Sequence, residues 1–157
     1  MSTADALPIL GHIPSGVFIL TAKNGSHETG MLASWVQQAG FEPPMVSVAL
    51  KQGRYIADWL SDDGHFVLNI VRSDQLNLLK HFGKGFELDQ PAFDGINLER
   101  SPLGVAVLAD SLGHLECQVV RHIDSGDHRI FLAEVSSGRL SGEGTPLVHI
   151  RKNGSHY

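Results

Sequence analysis

The sequence predicts a mostly β domain, α+β by count, with short strands forming an antiparallel barrel and short helices capping it. Three observations point there. β-Branched and aromatic runs recur along the chain, and seven prolines and 17 glycines punctuate them. Helical spacing is confined to two short stretches, one between the third and fourth strand candidates and one after the fourth.

The elements follow in order. "GVFILTA" (Gly16–Ala22) is a strand by its β-branched and aromatic content, and the Asn-Gly of "KNGSHE" turns it back into a hairpin. The return strand is "TGMLASWV", Thr29–Val36, and "QQAGFEPP" follows as a loop because of its glycine and paired prolines. "MVSVAL" is the third strand. In "GRYIADWLSDDG" (Gly53–Gly64), Ile56, Trp59 and Leu60 share one helical face. "HFVLNIV" is the fourth strand. "SDQLNLLKHFG" is a second helix, with Asp74 in its first turn, Lys80 and His81 in its last, and Gly83 at its stop. Residues 84–104 are mostly loop. "GHLECQVVRHID", a Gly-Asp-His turn, "HRIFLAEVSSGRL" and "PLVHIRK" complete the strands. Residues 1–12 are expected to form a flexible arm.

At 157 residues and 17.0 kDa, one domain spanning 1–157 is expected. The net charge of −5 leaves no basic stripe to neutralise a phosphate backbone, so nucleic acid is excluded as a partner. "MSTADALPIL" lacks the charge and apolar pattern of a secretory leader, and no apolar run approaches the ~18 residues needed to cross a bilayer. A cytoplasmic protein that does not enter membranes is the expectation. Cys117, the single cysteine, allows no internal disulfide and reads as a small buried hydrophobe.

Two stretches carry candidate chemistry. At the corner Lys51-Gln52-Gly53-Arg54 a strand leads directly into a helix, whose free N–H groups and two flanking cations suit a phosphate monoester. The same corner is compatible with ordinary solvated cations. The strand around Gly30, Ala33 and Ser34 is bare enough for a flat ligand to reach its main chain, or for a helix to pack there. The nine histidines show no metal-ligand spacing; His122 and His128 flank one hairpin but do not by themselves make a site. Nucleophile elbows, phosphate loops and dinucleotide glycine fingerprints are absent from the sequence.

Taken in order, "IPSGVFILTA", "GMLASWVQQAGFEPPMVSVAL", "GHFVLNIV", "LLKHFG", "GHLECQVV", "GDHRIFLAEV" and "TPLVHIRKNGSHY" resemble the flavin reductase family over Ile13–Tyr157. The resemblance implies an FMN-binding split β-barrel, Greek-key-like, acting as an NAD(P)H:flavin oxidoreductase. It implies FMN as cofactor, with FAD as the other candidate, and NADH or NADPH as hydride donor. It also implies a homodimer and, as partner, a monooxygenase or an electron-transfer flavoprotein. Position by position, it sets Met31, Leu32, Ala33, Ser34 and Trp35 against the flavin and Lys51, Gln52, Gly53 and Arg54 at its phosphate. It sets Phe82, Gly83 and Lys84 along another side of the ring, and His128 of Gly126-Asp127-His128 on the nicotinamide-facing side. Two departures stand out: "KQGRY" replaces the hydroxyl residues many relatives carry at the phosphate corner, and "LASW" replaces a Thr-Ala-Ser-Ser type strand. His128 is surplus to its turn, either aimed at the redox centre or bonded to a nearby carbonyl, with Asp127 a turn-former or a partner fixing the imidazole. A flavin carrier or electron relay that ignores nicotinamide is the alternative function.

Overall fold

The computed structural model describes residues 2–61 and 64–157. Met1, of the expected arm, and Asp62 and Asp63, of the expected helix 53–64, lie outside the described residues. The chain runs α1 (Thr3–Gly11), β1 (Ser15–Gly16), β2 (Phe18–Asn24), β3 (His27–Ala33), β4 (Val36–Gly40), β5 (Met45–Lys51), α2 (Tyr55–Leu60), β6 (His65–Ile70), α3 (Leu76–Phe82), β7 (Leu98–Arg100), β8 (Ala106–Leu108), β9 (Gly113–Ser125), β10 (His128–Leu140) and β11 (Val148–His149).

Seven strands form one antiparallel sheet in the order β3-β2-β6-β9-β10-β5-β4. Its two end strands are consecutive in sequence, joined only by Ser34 and Trp35. Laid flat, seven strands would set the outer two about 29 Å apart, whereas the link from Ala33 to Val36 reaches about 11 Å at most. The sheet must therefore curl until its ends meet at that link. Among the described residues no ladder joins β3 to β4, so the barrel is open along one seam.

The interior follows strand periodicity. In β5, Val46, Val48 and Leu50 are buried while Ser47 and Ala49 are half-exposed. Phe66, Leu68, Phe131 and Cys117 fill the same core, and α2 plugs it with Ile56, Ala57 and Leu60. A second cluster under α3 joins Leu78 and Phe82 to Ile19 and Val71. Fully buried Asn69 fastens the sheet to β8: its amide donates to the Ile19 carbonyl at 2.9 Å and its oxygen accepts from the Leu108 N–H at 2.8 Å.

Four expectations change. Residues 3–11 of the expected arm are helical: Ser2 and Asp5 form a capping box, and the Gly11 and Leu7 carbonyls accept from the Arg151 and Gly154 N–H groups. Gly11 lets the 151–154 segment lie this close, since a Cβ there would meet the Asn153 backbone at 2.5 Å. Residues 37–40, expected as loop, continue from Val36 as an edge strand paired with β5, which needs partners on one side only and tolerates polar Gln37 and Gln38. Asp74 precedes α3 and pairs with the Arg72 guanidinium at 3.0 Å, because the helix begins only at Leu76. "PLVHIRK" contributes just Val148 and His149, paired with Gly16 and Ser15.

Candidate functional site

The seam holds a cavity of about 140 Å³. Met31 to Trp35 line it from the end of β3 and the link, with Lys51 and Arg54 at the β5–α2 corner and Phe82 and Gly83 at the end of α3. β2 pairs with one edge of β3 (Leu20 with Met31, Phe18 with Ala33), and the sheet ends at the other. The cavity thus sits at main chain that the sheet leaves open, between apolar walls and two cations.

Those cations matter because they are only weakly offset: the Asp127 carboxylate feels the Lys51 charge without pairing to it. Among the described residues neither Arg54 nor Lys51 makes an ion pair with a carboxylate. α2 is six residues long, so little macrodipole stands behind the corner and anion affinity rests on these side chains. Gly53 turns the chain there with φ +84°. Gly30 has a different duty from the one its bareness suggested: a Cβ on it would meet Phe82 at 2.8 Å, so the protein's own aromatic ring uses that space.

The remaining expected residues lie around the cavity. Gly53 and Lys84 line a polar cleft of about 330 Å³ that shares Met31, Arg54 and Gly85 with it. Gln52 lines neither. Its amide donates to the His128 carbonyl at 3.1 Å and its main-chain N–H to the Asp127 carbonyl at 2.9 Å, bracing the corner against the β9–β10 turn. His128 lines an outer cleft of about 390 Å³ together with Trp35, Lys51, Arg151 and Tyr157. His122 packs on Phe131 at 5.9 Å between ring centres, and the pairing of Ser125 with His128 turns the two histidines to opposite faces of the hairpin.

At the boundary between inner cavity and outer cleft, side chains interlock. The His128 ring lies 4.6 Å from Trp35, and the Arg151 guanidinium sits 5.1 Å over the same indole. A carboxylate can only accept, so His128 Nδ1 donates to Asp127 Oδ1 at 2.7 Å; in that tautomer Nε2 accepts the Tyr157 hydroxyl. That bond to the imidazole, with lesser help from the charge of Lys51, holds the Asp127 carboxyl below its ordinary range. Burial raises the Tyr157 phenol, against the lowering pull of Arg54 and Arg151. Tyr157 and Arg151 are the site residues that reasoning from sequence missed. The one available signal was an aromatic and a cation together in "IRKNGSHY".

The flavin reductase like domain family matches residues 10–155. The chain belongs to that family. This flavin reductase-like domain is 38% identical over 98% of its length to putative diflavin flavoprotein A 3 of Nostoc sp., and 37% identical to diflavin flavoprotein A 1 of Synechocystis sp.. It spans 27% of the length of each, about the size of one domain within them. Among solved structures, flavin reductase HpaC complexed with NADP+ superposes with TM-score 0.78 at 27% identity, over 92% of this chain and 90% of HpaC. The NADH:FAD oxidoreductase SgcE6 of Streptomyces globisporus shares the fold at TM-score 0.84 and 24% identity, over 92% of this chain and 86% of its own. Family membership supports an oxidoreductase acting on flavin. Among the described residues no helix is long and apolar enough to cross a membrane.

Proposed function

We propose that this domain is an FMN-dependent NAD(P)H oxidoreductase, with the flavin ring in the seam cavity and its phosphate at Arg54 and Lys51. One observation carries the reading: two cations without ion-pair partners among the described residues border an apolar cavity at an open strand edge, a donor set that suits a planar phosphorylated ring. The flavin, once bound, supplies the hydride and electron chemistry. The chain's own work is positional. The main chain of Met31–Trp35 borders the ring, Phe82 and Gly83 close another side, and Gln52 fixes the corner to the turn bearing His128. NADH or NADPH enters by the outer cleft, where His128 meets its carboxamide. Hydride transfer needs reacting atoms about 3–3.5 Å apart, so a stacking surface serves better than an acid or base.

The protein works in the cytoplasm as a homodimer. Its apolar groove beside Leu10, Ile13, Val36 and Val148 supports the second copy, and the diflavin relatives support an electron-transfer flavoprotein as acceptor, with a monooxygenase as the other candidate. The test is a spectrum of the purified protein with FMN or FAD, followed by anaerobic NADH or NADPH. Bleaching of the flavin band is expected, with FMN held more tightly than FAD. A protein that binds neither flavin overturns the reading. Bound FMN that stays oxidised in NAD(P)H, yet is reduced by dithionite, assigns an electron relay instead.

A further inference from the structure

Trp35, Lys51 and Tyr157 line both the inner cavity and the outer cleft, so together they form the partition between the two. Two of the three are fixed by the sheet. The Trp35 carbonyl accepts from the Ala49 N–H at 3.0 Å and its ring is flanked by His128 and Arg151; Lys51 is paired with His128 in the β5–β10 ladder. Tyr157 belongs to no helix or strand and is 60% exposed. Its ring is held by Trp35 at 5.3 Å, by His128 at 5.9 Å, and by the bond from its hydroxyl to His128 Nε2.

We propose that Tyr157 is a displaceable gate: its phenol occupies the place at Trp35 and His128 that the nicotinamide takes, and nucleotide binding moves it aside. The inference rests on the flavin and nicotinamide reading above. The exchange is chemically matched. A phenol and a nicotinamide both offer a flat ring to the indole face. A phenol O–H and a carboxamide N–H can both donate to His128 Nε2, the acceptor in the tautomer whose Nδ1–H bonds Asp127. No new unsatisfied group is created when one replaces the other. The price is competition, because the nucleotide's apparent affinity is reduced by the fraction of molecules in which Tyr157 is in place. Tyr157 is therefore a positioning residue that sets nucleotide affinity, with no part in hydride transfer.

The test uses the flavin-loaded protein and oxidised NAD+ or NADP+, so nothing turns over. Tetranitromethane nitrates exposed tyrosines, and mass spectrometry separates Tyr157 from Tyr55, the only other tyrosine. Saturating nucleotide is expected to raise the nitration rate of Tyr157 at least threefold, because displacement exposes the ring. Calorimetry should show the nucleotide Kd falling about fivefold in Tyr157→Phe, which loses the tether to His128, and at least as far in Tyr157→Ala. Flavin Kd in Tyr157→Phe should stay within about twofold. Protection of Tyr157 by nucleotide, or an unchanged or weaker Kd in both variants, overturns the gate and makes Tyr157 part of the binding platform. Failure of the wild type to bind any flavin overturns the functional reading itself, a separate outcome seen before nucleotide is added.

Discussion

Arg54 lines an apolar cavity and makes no ion pair with a carboxylate among the described residues, and that makes its role separable from the ring's. A charge-assisted bond is worth about 1.5–3 kcal/mol, so Arg54→Ala should weaken FMN binding about tenfold or more. Riboflavin, which lacks the phosphate, should lose less than about twofold; equal losses for the two would show that Arg54 does not meet the phosphate. The chain from Asp127 through His128 to Tyr157 predicts a different split. His128→Ala should slow flavin reduction by NAD(P)H while flavin affinity stays nearly unchanged, read by stopped-flow bleaching beside an FMN titration. Unaltered reduction kinetics would remove His128 from nicotinamide recognition. Both residues were legible as candidates in the sequence. Tyr157 was not, because nothing about a lone aromatic 29 positions beyond His128 says that the two side chains meet.

At the scale of elements, the seam depends on how closely β3 and α3 approach. Gly30 permits it: a Cβ would lie 2.8 Å from Phe82 and 3.2 Å from Phe93. Phe82 is itself part of the cavity wall. Gly30→Ala should therefore cost about 1–3 kcal/mol by overpacking and weaken flavin binding as Phe82 is pushed away, checked by chemical denaturation alongside FMN titration. An unchanged denaturation midpoint would mean that α3 shifts freely, contrary to the close packing seen here. The β9–β10 hairpin and β5 were readable from alternation and turn residues. The edge strand β4 was not. Gln37 and Gln38 look like loop in one dimension, and they become strand because β5 offers its backbone to pair with.

For the whole molecule, acid sensitivity has one identifiable origin in His114. It is 9% exposed in β9, its Nδ1 is buried without a hydrogen-bond partner among the described residues, and its pKa lies below the ordinary value. Burial is the largest cause; Arg139 adds to it, while Glu116 and Glu99 oppose it. Below pH ~6.5 the unfolded chain takes up a proton that the folded one resists. The stability His114 contributes is thus complete above that pH and is lost as pH falls toward the depressed folded value. Denaturation midpoints at pH 7.5 and 5.5 should differ, and His114→Gln should flatten part of the difference; an identical slope in the variant would clear His114. Cys117 is inert by the same logic, its thiol pushed up to about 12 by burial above all, with Glu116 adding to it.

What the sequence by itself determined is local. Alternation, turn residues and composition settled a mostly β domain with two internal capping helices, and the ordered run of segments pointed to its family. It also nominated the Lys51–Arg54 corner and the bare strand around Gly30, Ala33 and Ser34 from their own residues, and the resemblance extended the latter to Met31–Trp35. Only the tertiary structure decided that these patterns meet at one seam, that Gly30 serves Phe82, that the first helix docks on residues 151–154, and that Tyr157 closes the space between cavity and cleft. The reason is geometric. A seven-stranded sheet forced to curl by a two-residue link brings distant segments together, and no periodicity along the chain encodes which of them will touch.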